Sequence, residues 1–271
     1  MKVELDEMRW PEVEELLTQT NVVILPIGAT EQHGRHLPLN TDTLSAIYFA
    51  KQVAERVTKE CGIRVVVAPS IPYGEARGTP SFSQLLPGTI SISGDTTMVL
   101  VEDVVRSLVT QGFKNVLVLN GHLENTSLIA VALRKVSLSF PNAGLYATNW
   151  FQLASKAWSE IRKGGKAGGG HSCEKETAIC LVLQPQNVAL DEMILGTRTF
   201  SLPEKYVLPM GAGPVYFHSR ISGIRAGGHM GDPSISTKET GEKLISAVLE
   251  DLTEIVMAIA KSEGVKTEEK V

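Results

Sequence analysis

Two short segments of the chain concentrate side chains that bind metals or move protons. The first spans residues 28–42 and holds Glu31, His33 and Asp42, and the second holds His122 and Glu124. Glu31 and His33 are two positions apart, as are His122 and Glu124, so in an extended backbone each pair points to one side. Imidazole and carboxylate ligands together suit Zn²⁺, Mn²⁺ or Fe²⁺. The pattern predicts a site for two divalent cations, with Asp42 available to both.

A third segment, residues 168–177, combines a glycine run with further candidate groups. His171 follows three glycines, and Glu174 and Glu176 come shortly after it. Glycine lets a backbone approach a ligand closely, and the start of a helix favours carboxylates in its first turn. A flexible loop before an acidic helix start is the structural alternative. Cys173, beside His171, leaves open a cysteine hydrolase.

The strands that would position these segments are visible in the hydrophobic pattern. A continuous apolar run occupies residues 22–27, and further largely apolar segments that read as strands occupy residues 64–68, 116–119 and 144–147. Such runs are typical of strands buried on both faces of a parallel sheet. The first two polar segments follow the first and third of these strands. They should therefore lie at the carboxyl ends of parallel strands, where open α/β sheets bind ligands.

Helical patterns alternate with the strands. Apolar residues recur at helical spacing after Asp42, and further helices are expected over residues 95–111, from 125 onward and over 239–261. The alternation predicts an α/β fold with a mostly parallel sheet and helices on both faces. We expect one three-layer domain over residues 1–271, with a frayed tail over residues 263–271.

Composition narrows the class of protein. The 271 residues include 26 basic and 30 acidic side chains, a net charge of −4, and 43% are hydrophobic. Nucleic-acid binding usually needs a basic face, so we expect no nucleic-acid partner. The first residues lack a hydrophobic signal core, and no apolar run is long enough to span a bilayer. Three widely spaced cysteines do not suit a secreted disulfide framework. These features predict a cytoplasmic protein without a membrane partner.

The motifs, taken together, resemble one known family. They read Glu31-Gln-His33-Gly-x-His36-Leu-Pro, Asp42, Asn120-Gly-His122-x-Glu124-Asn125 and His171-x-x-Glu174-x-Glu176-Thr, with Trp10-Pro11-Glu12-Val13 near the start and Gly231-Asp232-Pro233-Ser234 near the end. This pattern resembles the creatininase family of metal-dependent amidohydrolases over nearly the whole chain. The resemblance implies an α/β fold with a binuclear metal centre, in a homo-oligomer that is a hexamer.

The resemblance also implies a set of ligands. One metal would be bound by Glu31, Asp42 and His122. The second would be bound by His33, Asp42 and Glu124, with Asp42 bridging. Many relatives have glycines at the positions of Leu123 and Glu124 and use a glutamate after the later histidine instead, so Glu174 is an alternative ligand.

Roles for the remaining polar groups follow from the same resemblance. His171 would be the catalytic proton carrier, and Glu176 would orient it or stabilise the helix start. His36 is expected to hold the loop and orient a ligand. His229 is expected to be structural.

The substrate implied by the resemblance is a small cyclic amide, opened by a metal-activated water as in creatinine amidohydrolases. Creatinine-opening members carry a tryptophan and an aspartate where this chain has Ala167 and Gly168. Formamides, peptide ends and an inositol-derived cyclic diketone are therefore alternative substrates, and a metal-binding scaffold is the non-enzymatic alternative. Trp150, Glu75 and Arg77 are the residues expected to contact the substrate.

Overall fold

A four-stranded parallel sheet forms the centre of the computed structural model, which describes residues 2–20, 22–76, 86–164, 170–193 and 227–262. The strands are β1 (Val22–Ile27), β2 (Val65–Val67), β3 (Asn115–Asn120) and β4 (Gly144–Asn149). They lie in the order β2-β1-β3-β4, and every neighbouring pair is parallel. All four apolar runs are thus confirmed as strands.

Seven α-helices surround this sheet in the described part of the chain. They are α1 (Trp10–Leu17), α2 (Thr41–Cys61), α3 (Gly94–Gln111), α4 (Asn125–Ser139), α5 (Ser155–Ile161), α6 (Glu174–Leu183) and α7 (Lys238–Lys261). Gly62 follows the last residue of α2, and Gly112 follows the last residue of α3. Both are in the left-handed conformation that glycine adopts without strain. The predicted helices are therefore confirmed, with ends close to those expected.

Strands β1, β2 and β3 are buried on both faces, whereas the edge strand β4 is mostly half-buried. Val22 and Ile24 of β1 belong to a core shared with α2 and α7, whereas Val23 and Leu25 belong to a second core shared with α3 and α4. Successive side chains of a strand point to opposite faces, so an uninterrupted apolar strand must be covered on both sides. Each fully buried side chain of this size contributes about 2 kcal/mol to folding. The three-layer α/β architecture is confirmed.

The carboxyl ends of β1 and β3 bring two polar loops together. These strands are neighbours, and Ile27 pairs with Asn120 at their last residues. The Gly121 amide then donates a hydrogen bond to the Ile27 carbonyl over 2.8 Å. Consequently the loop of residues 28–40 and the loop of residues 121–124 begin side by side at one edge of the sheet.

Some predictions fall outside the described residues. These concern Arg77, the pair Ala167 and Gly168, and the tail over residues 263–271. Among the described helices, none has both the length and the apolar character needed to cross a membrane.

Candidate metal centre

Five predicted site residues converge at the edge where β1 and β3 end. The donor atoms of Glu31, Asp42 and His122 lie within 4.8 Å of one another, and so do those of His33, Asp42 and Glu176. Asp42 belongs to both groups. The loop after β1 carries Glu31 and His33, while Asp42 lies in the first turn of α2. The described residues therefore contain two adjacent clusters that share the Asp42 carboxylate, and a third group, Glu31, His33 and His171, overlaps both.

His122 is oriented by the main chain of a neighbouring loop. Its Nε2 lies 2.8 Å from the carbonyl oxygen of Glu75, which can only accept, so Nε2 donates a hydrogen bond there. Its Nδ1 lies 2.9 Å from Asp42 Oδ2 and 3.3 Å from Glu31 Oε1. A ring nitrogen held in this way leaves the other one directed at the carboxylates, which is the usual arrangement for a metal-binding histidine.

His33 is held in the same manner with the opposite nitrogen. Its Nδ1 lies 3.2 Å from the carbonyl oxygen of Glu31 and donates to it. Its Nε2 lies 3.0 Å from Asp42 Oδ1 and 3.8 Å from Glu176 Oε2. This Nε2 is fully buried and forms no well-aligned hydrogen bond. A buried nitrogen of this kind, directed between two carboxylates, matches a cation ligand.

The carboxylates dominate the electrostatics of the site. Burial acts to lower the pKa of His33, but the charges of Asp42, Glu176 and Glu31 outweigh it and raise that pKa to about 10. Burial likewise opposes protonation of His122, yet the carboxylates of Glu31 and Glu124 raise its pKa well above the usual value. Among the described residues, no lysine or arginine forms an ion pair with Glu31, Asp42 or Glu176. A cluster that draws protons onto its histidines is one that divalent cations would neutralise.

Glu176 and Glu174 have different surroundings although both lie in the first turn of α6. Glu176 Oε2 accepts a hydrogen bond of 2.6 Å from the amide of Ser172, whose φ of 53° is unusual for a residue with a side chain. The carboxylate of Glu174 accepts from the amides of Lys163 and Gly164 over 2.7 and 2.9 Å. Both of its oxygens are thus engaged by the loop before α6. Glu176 is the one of the two whose carboxylate lies beside His33, and the predicted role of Glu174 as a metal ligand stays a prediction.

Glu124 lies at the margin of the cluster. Its Oε2 is 3.2 Å from His122 Nε2, the ring nitrogen that faces away from Asp42, and its side chain is 41% exposed. The described metal clusters do not include it. Its predicted role as a ligand of the second metal stays a prediction.

His171 lies at the open side of the site. Its side chain is 18% exposed, whereas those of His33 and His122 are 0% and 3% exposed. Its Nδ1 lies 3.4 Å from Glu31 Oε1, and its ring packs against that of His33 with centroids 4.4 Å apart. The position next to the clusters and within reach of solvent fits the predicted proton carrier.

Of the three residues expected to contact the substrate, the structure describes Trp150 and Glu75. Trp150 is 1% exposed and packs against Phe49 and Phe151 in the core. Its predicted contact with the substrate stays a prediction. The carboxylate of Glu75 lies beside Gly94 at the start of α3, and its carbonyl oxygen holds His122. Arg77 lies outside the described residues.

Two sequence-based readings of other residues have clear outcomes. Burial raises the pKa of the Cys173 thiol to about 11, so it stays protonated near neutral pH and does not suit a nucleophile. Gln32 is not among the predicted site residues, yet it is buried, and its carbonyl oxygen and side-chain nitrogen lie 2.7 and 3.0 Å from His171 Nε2. Its place between Glu31 and His33 was the signal that could have identified it.

A family model and three related proteins each match more than two thirds of the chain. A family model described as creatininase, creatinine amidohydrolase, matches residues 6–256. A mycofactocin precursor peptide peptidase of Mycobacterium ulcerans is 31% identical over 234 residues, which cover 84% of this chain and 82% of that protein. A creatinine amidohydrolase of Pseudomonas putida is 30% identical over 199 residues, covering 69% and 74%. A 3-dehydro-scyllo-inosose hydrolase of Thermotoga maritima is 24% identical over 264 residues, covering 93% and 82%.

Solved structures agree on the fold. A mutant creatininase described as the Zn-Zn type superimposes with a TM-score of 0.80 at 22% identity, covering 97% of this chain and 100% of that one. A creatininase described with Mn gives a TM-score of 0.79 at 23% identity, with coverage of 97% and 100%.

Proposed function

The chain belongs to the creatininase family of metal-dependent hydrolases, and from this premise we propose that it hydrolyses an amide C–N bond with the help of two divalent cations. The observation that carries the proposal is the pair of clusters sharing Asp42, in which each histidine directs one ring nitrogen at a carboxylate. Names of relatives that act on amide bonds, creatinine amidohydrolase and peptide peptidase, support the choice of bond.

The proposed ligands follow the two clusters. One cation is assigned to Glu31, Asp42 and His122, and the other to His33, Asp42 and Glu176. These are borderline or hard ligands, so Zn²⁺ and Mn²⁺ are the ions we expect. Bound cations would supply Lewis acidity, which activates water near neutral pH and polarises the carbonyl under attack.

The chain's own residues would carry the proton transfers. His171 reaches the site through Nδ1, because its Nε2 is engaged by the carbonyl oxygen of Gln32. We assign to Nδ1 the proton that passes to the departing nitrogen as the C–N bond breaks. Water supplies both the hydroxyl group that remains on the carbonyl carbon and, by way of Nδ1, the proton that the departing nitrogen takes up, so the atoms balance. Glu31 Oε1 lies 3.3 Å from His122 Nδ1 and 3.4 Å from His171 Nδ1, so it would help to orient the His122 ring toward the cation and the His171 ring toward the site.

The exposed part of the site is compatible with more than one class of amide substrate. His171, and Glu124 at the margin of the clusters, are polar side chains of this region that reach solvent. A small cyclic amide and the end of a peptide both offer a carbonyl that such an open edge would admit. Trp150 has no part in this proposal, since its side chain is 1% exposed and packs in the core. Homo-oligomerisation also stays a prediction.

The test is a turnover assay on protein stripped of metal and then loaded with Zn²⁺ or Mn²⁺. The panel contains creatinine, short peptides, an aromatic formamide and a cyclic diketone. We expect amide hydrolysis that a chelator abolishes. His171→Asn should retain its metal and lose about 10²–10⁴-fold in kcat. Cleavage of the diketone alone would instead favour C–C bond hydrolysis, and binding without turnover would favour a scaffold.

A further inference from the structure

We infer that Asn125 is a positioning residue that keeps the ring of His122 directed at the proposed metal centre. The inference rests on the role proposed above for His122, which is to bind a cation through Nδ1. Asn125 acts through the main chain of Glu75, whose carbonyl oxygen lies 2.8 Å from His122 Nε2 and accepts the proton of that ring nitrogen.

The side-chain amide of Asn125 joins two loops at the edge of the sheet. Its Oδ1 lies 3.3 Å from the main-chain nitrogen of Glu75 and accepts that N–H. Its Nδ2 lies 3.0 Å from the carbonyl oxygen of Gly28, where the loop that carries Glu31 begins, and donates to it. The two ends of the amide thus have different partners, an N–H for the oxygen and a carbonyl for the nitrogen. These partners fix which end is which.

Asn125 is itself firmly anchored. It is the first residue of α4 and is 0% exposed, and its main-chain N–H donates to the His122 carbonyl over 3.3 Å. Its Nδ2 also lies 3.4 Å from Oδ1 of Asn120, the atom that accepts the main-chain N–H of His122 over 3.0 Å. A buried amide loses its hydrogen bonds without compensation from water if it moves. Asn125 therefore holds its partners in a fixed position relative to α4.

The segment of residues 74–76 is held from its other side by residues 91–92. The Gly74 carbonyl accepts from the Ile92 N–H over 3.1 Å, and the Ala76 N–H donates to Ser91 Oγ over 2.9 Å. The peptide unit that precedes Glu75 is thus held at its carbonyl by Ile92 and at its N–H by Asn125. Loss of the Asn125 amide would leave this unit with one contact fewer, so that Glu75 could turn and carry its carbonyl away from His122.

Gly74 shows how closely these loops approach each other. A Cβ atom at this position would overlap both ends of the Asn125 amide and the carbonyl oxygen of Gly28. Gly74 is not one of the described glycines with a positive φ. An alanine there would therefore act by the space it occupies and not by backbone strain, which gives a second way to displace the same amide.

The consequence of this arrangement is a defined direction for the ligating nitrogen. His122 Nδ1 lies 2.9 Å from Asp42 Oδ2 while Nε2 is held by Glu75. Glu124 Oε2 lies 3.2 Å from the same Nε2, but its side chain is 41% exposed, so water competes for it. The buried carbonyl of Glu75 is thus the acceptor that sets the direction of the ring. Contacts of this kind behind a metal-binding histidine are commonly worth 10–100-fold in metal affinity.

The experiment compares Asn125→Ala and Gly74→Ala with wild-type protein, using nitrogen-15 NMR of histidine-labelled protein during a Zn²⁺ titration buffered by a chelator. His122→Asn identifies the His122 signals. In wild-type protein Zn²⁺ should shift the signal of Nδ1, and Nε2 should carry a proton that exchanges slowly with water. In both variants that proton should exchange faster, and the Nδ1 shift should require about 10–100-fold more free Zn²⁺.

The matched control is Asn115→Ala. Asn115 is also a buried asparagine, but it is the first residue of β3, at the opposite end of the strand from the site, where its Oδ1 lies against Gly144. This control should lower stability and leave the Zn²⁺ titration and the exchange of the His122 proton unchanged.

Wild-type exchange and Zn²⁺ affinity in either test variant would overturn the inference, as would equal losses in Asn115→Ala. A wild-type Nε2 without a protected proton would overturn it even if neither variant folded. An Nδ1 signal that does not respond to Zn²⁺ in wild-type protein would instead contradict the ligand assignment in the proposed function.

Discussion

Gly121 and Asp42 touch through their main chains, so closely that a Cβ atom on Gly121 would overlap the carbonyl oxygen of Asp42. This contact joins the end of β3 to the first turn of α2. The residue that follows Gly121 is His122, whose Nδ1 lies 2.9 Å from the Asp42 carboxylate. The distance between the proposed ligands His122 and Asp42 therefore depends on Gly121, which is not itself a metal ligand.

Gly121→Ala should separate the two ligands without removing either. The added methyl group has no space, so α2 or the loop after β3 must shift. We expect at least a tenfold loss in Zn²⁺ affinity, on the order seen when supporting contacts of a metal site are removed. Gly62→Ala is the control, because no atom lies within 4 Å of that position. It should cost about 1 kcal/mol of stability through its left-handed backbone and leave affinity for Zn²⁺ intact.

Metal removal should destabilise the fold. Three carboxylates, those of Glu31, Asp42 and Glu176, are buried close together, and cations binding only the folded state stabilise it. Each bound Zn²⁺, at 100 times its Kd, should add about 2.7 kcal/mol. Differential scanning fluorimetry of stripped protein, with and without Zn²⁺, measures the shift in Tm. Asp42→Asn should abolish the shift, whereas the exposed Asp95→Asn should preserve it. An equal shift in both variants would count against the shared carboxylate.

Glu176→Gln and Glu124→Gln should differ in metal content. Glu176 faces His33 and Asp42, so its loss should remove about one equivalent of metal per chain, the number that its cluster is proposed to hold. Glu124 contacts the outer nitrogen of His122 and should be dispensable for metal content. Elemental analysis after dialysis gives both values. The reverse ranking would show that Glu124 turns inward when cations bind and would restore the ligand set implied by the family resemblance.

Trp150 should matter for stability and not for substrate affinity. The side chain is 1% exposed and packs on Phe49. Trp150→Ala should cost about 3–5 kcal/mol of unfolding free energy, as other large-to-small core substitutions do. Trp150→Phe should leave KM within about twofold, because an aromatic ring still fills much of the space. A large rise in KM in Trp150→Phe would return this residue to the substrate site.

His36 should make the fold sensitive to acid. Burial, with smaller effects from His229, His33 and His171, lowers its pKa to about 4, and its Nε2 bonds to Thr177 Oγ1. Below about pH 6.5 the unfolded chain binds a proton that the folded protein rejects, so stability is complete above that pH and declines as pH falls toward 4.

The size of the loss in stability follows from the lowered pKa of His36. Between pH 6.5 and pH 5 the contribution of His36 should fall by about 2 kcal/mol. Denaturant unfolding of metal-free protein at several pH values measures it, with His36→Gln as the comparison. Equal pH slopes for wild-type and His36→Gln proteins would contradict the assignment.

The sequence alone determined the parts of the molecule that depend on local pattern. Uninterrupted apolar runs of four to six residues must become buried strands, and parallel strands align their carboxyl ends. Loops that follow such strands meet at one edge, so Glu31, His33, Asp42 and His122 could be grouped before their distances were known. The resemblance of the motifs to a family agreed with this grouping.

Only the tertiary structure decided between residues that share the same local setting. Glu174 and Glu176 both lie in the first turn of α6, and the rotation of that helix determines which one faces the cluster. This rotation depends on packing against α7, where Gly241 lies against the carbonyl of Ala178. Trp150 followed a strand, as a site residue would, but packing placed it in the core. Gln32 meets His171 across 139 residues of sequence, and no local pattern records a contact at that separation.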